Sequence, residues 1–198
     1  MISKLFVFEG PDSVGKTSIA TALASRLNSA GKPTSYFSFP GKEQGTLGHL
    51  IYQLHHDSSY YGINFVTPTA LQALHLAAHL DVIERCLNPL LEQGINVVLD
   101  RYWWSTFVYG AADSADLSVL NKLIGIEKSM WRRLPDHVFL LDRARPIEED
   151  DSPSFQYHRQ LYDQLAFKET DKYPISKIKN ELSQSDALQE IWTKIAEQ

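Results

Sequence analysis

The chain has 198 residues, enough for one domain with a sizeable core, and 43% hydrophobic with 22% charged residues is an ordinary globular composition. A formal net charge of -5 excludes recruitment of nucleic acid or phosphorylated ligands by a global field, so any anion site must be built from local cations and backbone amides. The single cysteine, Cys86, excludes a disulfide scaffold and a cysteine-built zinc site, and its apolar helical setting reads as a small buried hydrophobe.

In chain order, the first element predicted is a buried strand at Leu5 to Glu9, short, apolar and ended by Gly10-Pro11. A helix over 17–27 carries the apolar stripe Ile19, Ala20, Leu23, Ala24 and Leu27. A second strand spans 34–39, and a helix 47–56 precedes a loop over 58–68. A long helix over 69–92 follows, with Pro89 expected to kink its last turn and Gly94 to stop it. Strands are predicted at 95–99 and 136–141, with helical segments at 104–110 and 117–131 between them. A polar connection over 142–153 leads to a helix at 154–168, a weaker last strand within 175–182 and a final helix at 186–196. Apolar strands alternating with helices predict a parallel sheet covered on both faces, with ligands beyond the C-terminal strand ends, where Gly10, Asp100 and Asp142 fall. The sequence starts on a strand-like run without a signal peptide and has no apolar stretch of about 18 residues. The expected location is therefore the cytoplasm, with neither a membrane nor nucleic acid as partner.

Gly10-Pro11-Asp12-Ser13-Val14-Gly15-Lys16-Thr17 fits the full G-x-x-x-x-G-K-[ST] phosphate cradle, with a strand before it and a helix after it. Its glycines let the backbone, through Ser18, wrap a phosphate with inward N–H groups, and the helix N-terminus adds partial positive charge. Lys16 can reach the outer phosphates of ATP, and the Thr17 hydroxyl is a candidate magnesium ligand. Asp100, ending an apolar strand, is the second candidate ligand, direct or through water. Arg101 follows it toward the same cleft, where a guanidinium suits bidentate phosphate recognition.

These residues together resemble the thymidylate kinases. The resemblance rests on Phe8-Glu9-Gly10-Pro11-Asp12 with the cradle, on Asp100-Arg101-Tyr102 followed by Ser105 and Tyr109, and on Phe39-Pro40-Gly41-Lys42. Leu76-Ala77-Ala78-His79 and Pro135-Asp136 before the strand ending at Asp142 also fit. It implies a single domain over 1–198 with a three-layer α/β P-loop kinase fold and a five-stranded parallel sheet. It further implies ATP and Mg2+ as cofactors, a nucleoside monophosphate (dTMP first) as substrate, and a homodimer. By resemblance Lys16 and Thr17 serve ATP and magnesium, Asp12 touches the acceptor sugar, and Arg101 and Lys42 clamp its phosphate. Phe39, Ser105 and Tyr109 line the nucleoside pocket.

Three features depart from the family pattern. His79 stands where an Arg usually reads the base, and His75, one turn earlier, where a Phe often stacks on it. A metal site on this pair lacks an apparent third ligand, and two polar residues beside the core stripe are the plain alternative. Gly110 stands where bacterial members often carry Gln, removing a polar group from the pocket. The lid is short, about 143–153, and contains the acidic run 148–151, leaving Arg143 and Arg145 as its only cations. Because Ser13 and Val14 leave the cradle without a basic residue, either Arg143 or Arg145 supplies the lid charge, or a partner supplies the cation, or the rate is low. A lost arginine clamp costs about 10³–10⁵ in rate. Acceptors other than dTMP, or nucleotide binding without efficient transfer, follow from these departures. Trp103 and Trp104 fit either the cleft or the core.

Overall fold

The computed structural model describes residues 3–147, 153–181 and 183–196. Among them, β1 (Leu5–Glu9), β2 (Thr34–Ser38), β3 (Asn96–Asp100), β4 (His137–Asp142) and β5 (Ile175–Lys179) form one parallel sheet in the order β2-β3-β1-β4-β5. The three central strands are buried at every position, which is why each reads as an unbroken apolar run closed by an acid. The edge strands β2 and β5 are only partly buried and accordingly carry polar residues.

Two cores flank the sheet. One packs Ile19, Leu23 and Leu27 of α1 (Lys16–Ser29) and Ile191 of α8 (Gln184–Ala196) against Phe6, Phe8 and Phe139. The other packs Trp103, Trp104 and Val108 of α5 (Trp103–Ala112), Leu120 of α6 (Leu117–Met130) and Leu161 of α7 (Pro153–Glu169) against Leu5, Val7 and Leu99. Trp103 and Trp104 thus belong to the core, at 3% and 0% exposure.

The helix α2 (Leu47–His56) starts at Thr46, whose hydroxyl accepts from the His49 N–H, and α3 (Pro68–Val82) starts at Thr67, whose hydroxyl accepts from the Ala70 N–H. A 3₁₀ turn at Ser58–Tyr61 occupies part of the expected loop. The long helix continues through a π-helical turn at Ile83–Leu87 into α4 (Asn88–Glu92). Pro89 follows directly on the π turn, an irregularity of the kind that a residue without an N–H brings to a continuous helix, so the distortion falls just before it rather than in the last turn. Cys86 sits in the π turn and is partly exposed rather than fully buried. No helix among the described residues is long and apolar enough to cross a membrane.

Candidate active site

With β3 and β4 on either side of β1, the strand order reverses at the centre of the sheet, and the crevice beyond β1, β3 and β4 is where such a fold places ligands. The cradle fills it. Gly10 has φ 139°, and a Cβ there would lie 2.2 Å from the Leu141 carbonyl oxygen, so only glycine lets the chain pass β4. Lys16 is buried and donates to the Pro11 carbonyl at 2.5 Å. Burial, aided by the charge of Arg101, pushes its ammonium down to about 8. An arriving phosphate would replace lost solvation and hold it charged. The Val14 side chain is fully buried in the core, so Val14 offers a ligand only its backbone.

The Thr17 hydroxyl donates to Asp100 Oδ2 at 2.6 Å, and the Tyr36 hydroxyl reaches the same oxygen at 3.3 Å. The other oxygen, Oδ1, is buried with no hydrogen-bond partner among the described residues. A buried orphan carboxylate oxygen beside a hydroxyl fits a hard divalent cation. Asp142, ending β4, contrasts with it. Both of its oxygens are taken by Arg159, at 2.7 and 2.9 Å, with Lys177 at 3.3 Å.

Arg101 has φ 73°, left-handed for a residue with a Cβ, a conformation costing about 1–2 kcal/mol. Glu9 holds the turn. Its fully buried carboxylate accepts from the Tyr102 N–H at 2.7 Å, the Ser105 N–H at 3.0 Å and the Ser105 hydroxyl at 2.7 Å. Arg101 in turn donates to Ser105 Oγ at 3.2 Å and ion-pairs with Asp12. The Tyr109 hydroxyl donates to the other Asp12 oxygen at 2.7 Å. Desolvation opposes ionisation of Asp12, but Arg101 and then Lys16 outweigh it and hold its carboxyl at about 2. Ser105, expected in the nucleoside pocket, lines it but is engaged chiefly with Glu9 and Arg101.

Behind this cluster opens a cavity of about 470 Å³, lined by Asp12, Phe39, Lys42, His75, Arg101 and Tyr109 among others. Lys42 is exposed at its mouth, its ammonium 4.8 Å from the centre of the Tyr52 ring. His79 is 3% exposed; its ring stacks on Phe39 at 4.1 Å and its Nδ1 lies 2.9 Å from Glu127 Oε2. His75 contributes a neutral imidazole. Burial, with His79 and His55 beside it, pushes it down to about 3, and its Nε2 sits 3.2 Å from His55 Nδ1. Gln72 lines the same cavity, and a Cβ at Gly110 would lie 3.0 Å from the Gln72 Cγ and from a Leu120 methyl, so those two side chains fill the space beside position 110.

The two lid arginines are reached through Asn180, which bonds the cradle at the Val14 carbonyl. Arg143 donates to the Asn180 and Arg145 carbonyls, and Arg145 is exposed. The acidic run 148–151 lies outside the described residues. His55, Gln72 and Asn180 enter the site without a sequence motif of their own, and Glu9 enters with a role that its place in the motif does not state. Of these, Glu9 carries a local signal, an acid closing an apolar strand directly before the cradle.

The sequence model of the family described as thymidylate kinase matches residues 8–191. A thymidylate kinase of Chlorobium luteolum is 30% identical over 70% of this chain and 61% of its own length, and one of Roseiflexus sp. is 34% identical over 70% and 59%. The chain therefore spans about 60% of the length of these relatives. A thymidylate kinase of Chlamydia muridarum is 28% identical over 93% of this chain and 97% of its own. The crystal structure of thymidylate kinase from Ehrlichia chaffeensis superposes with a TM-score of 0.79 at 19% identity, covering 98% of both chains, and so shares the fold. With the family model matching most of its length, the chain belongs to the thymidylate kinase family.

Proposed function

We propose that this chain transfers the γ-phosphate of ATP to a nucleoside monophosphate, dTMP first among them. The observation that carries the reading is the position of Arg101. It stands between the cradle lysine and the 470 Å³ cavity, so a donor held at Lys16 and an acceptor held in the cavity would meet beside one guanidinium. In the transfer an acceptor phosphate oxygen forms a bond to the γ-phosphorus while the bond to the β-phosphate oxygen breaks and ADP leaves. Lys16 and Arg101 offset charge on the transferring oxygens, and Asp12 with Tyr109 fixes the guanidinium in place. Thr17 and Asp100 would hold Mg2+, which supplies charge neutralisation across the phosphates when bound. A homodimer remains part of the proposal, with sedimentation as its check.

A second reading, the same transfer to a different acceptor, is favoured by the pairing of His79 with Glu127, which turns the imidazole Nδ1 away from any base. A coupled ATP assay against a panel of nucleoside monophosphates and nucleosides separates the two. Tight ATP binding with no turnover of any acceptor would overturn both and leave a nucleotide-binding protein. Lys16→Ala is expected to lower kcat by about 10²-fold or more. Arg101→Ala is expected to raise the acceptor KM about tenfold, and unchanged KM and kcat would remove Arg101 from the phosphate site.

A further inference from the structure

We infer that a second cleft, apart from the acceptor cavity, is a binding site for a small aromatic carboxylate. It lies between the start of α5, the connection from α6 to β4 and the end of α7, and encloses about 270 Å³. The acceptor cavity is nearly twice as large, at about 470 Å³, so this cleft suits a single ring with one charged group rather than a nucleotide.

Three features define the ligand. The walls include the rings of Tyr102, Trp103, Trp131 and Tyr173, which favour a flat apolar body. The rim is positive in a chain of net charge -5. Lys128 and Lys172 share one buried carboxylate, Glu169, at 3.4 and 2.7 Å, so the two ammonium groups crowd one carboxylate, with Glu127 adding a weaker pull on Lys128. The Lys128 ammonium also stands 3.7 Å from the centre of the Trp103 ring. Arg132 and Arg133 border the cleft too, but each already has a carboxylate, Glu92 and Asp136 respectively. Finally, the Trp131 indole N–H is buried with no acceptor among the described residues, in a residue 8% exposed that lines the cleft. A buried unpaired donor costs about 1–3 kcal/mol. A carboxylate entering beside Trp131 would offset the ammonium charge, its ring would lie among the aromatic walls, and a turn of the indole would bring the buried N–H to the carboxylate.

Titration with sodium benzoate, followed by the indole N–H resonances of the four tryptophans, tests this without reference to activity. The Trp131 signal is assigned by its loss in Trp131→Phe. Benzyl alcohol serves as the uncharged control and sodium chloride at equal ionic strength as the salt control. The expected result is a saturable shift of the Trp131 resonance with benzoate at millimolar concentration and none with chloride. Lys128→Met and Lys172→Met, whose side chains are 37% and 51% exposed and each of which leaves the other ammonium on Glu169, should each weaken binding about fivefold. No saturable shift, equal binding of benzyl alcohol, or unchanged affinity in both lysine variants would overturn the assignment.

Discussion

Glu9 organises the site without touching its cavity. Three donors converge on its carboxylate, and they belong to the two residues that fix the left-handed turn at Arg101. Full burial, only partly offset by the Ser105 hydrogen bond and Arg101, pushes its carboxyl from 4.5 up to about 7. The folded chain therefore holds this proton more tightly than the unfolded chain does. Between pH 4.5 and 7 the unfolded state has released it and the folded state has not, so stability falls as pH rises through this window. The contribution is full below 4.5 and is lost above 7, with an upper size of about 3 kcal/mol. Glu9→Gln cannot titrate. Urea unfolding of both proteins should show the wild-type advantage over the variant shrinking from pH 5 to pH 8, and a difference independent of pH would refute the shifted carboxyl.

At the scale of elements, the acceptor cavity depends on how closely α2 approaches the Phe39-Pro40 turn. A Cβ on Gly48 would lie 1.8 Å from the Pro40 carbonyl oxygen, and backbone on both sides leaves no flexible atom to yield. Gly48→Ala must move α2, which carries Tyr52 and His55 at the cavity wall. The expected cost is about 1–3 kcal/mol in stability with about a tenfold rise in acceptor KM, while the ATP KM stays near wild type. Steady-state kinetics varying each substrate in turn checks this, and a rise confined to ATP would refute it. The same scale shows what the sequence could disclose. β1, β3 and β4 are legible because strands buried on both faces need unbroken apolar runs, whereas the exposed edge β5 is only faint. The π turn is silent because Ile83 and Leu87 are both buried, so the apolar stripe crosses it without a break. The cradle is legible because its chemistry lies in consecutive residues. The Glu9 contacts are not, since Tyr102 and Ser105 lie 93 and 96 residues away.

Across the whole molecule, two segments from the second half of the chain return to the cradle. The segment after β4 returns to it through the Ile147 N–H, which donates to the Ser13 carbonyl at 2.8 Å. The segment after β5 does so through Asn180, 166 residues from its partner, whose amide donates to the Val14 carbonyl at 2.9 Å. Asn180 also receives Arg143 on its own carbonyl and donates its N–H to the Asp142 carbonyl at 3.0 Å. Arg143 thus acts here as a tie between lid and cradle. Asn180 is 6% exposed, so removing its amide strands the Val14 carbonyl away from water, a loss of about 1–3 kcal/mol. That loss falls on the donor side of the site, because Val14 belongs to the cradle and not to the acceptor cavity. Asn180→Ala is therefore expected to raise the ATP KM about tenfold and to speed amide hydrogen exchange over residues 13–15, with the acceptor KM little changed. The opposite pattern, a changed acceptor KM with an unaltered ATP KM, would mean that the cradle is rigid without its C-terminal brace.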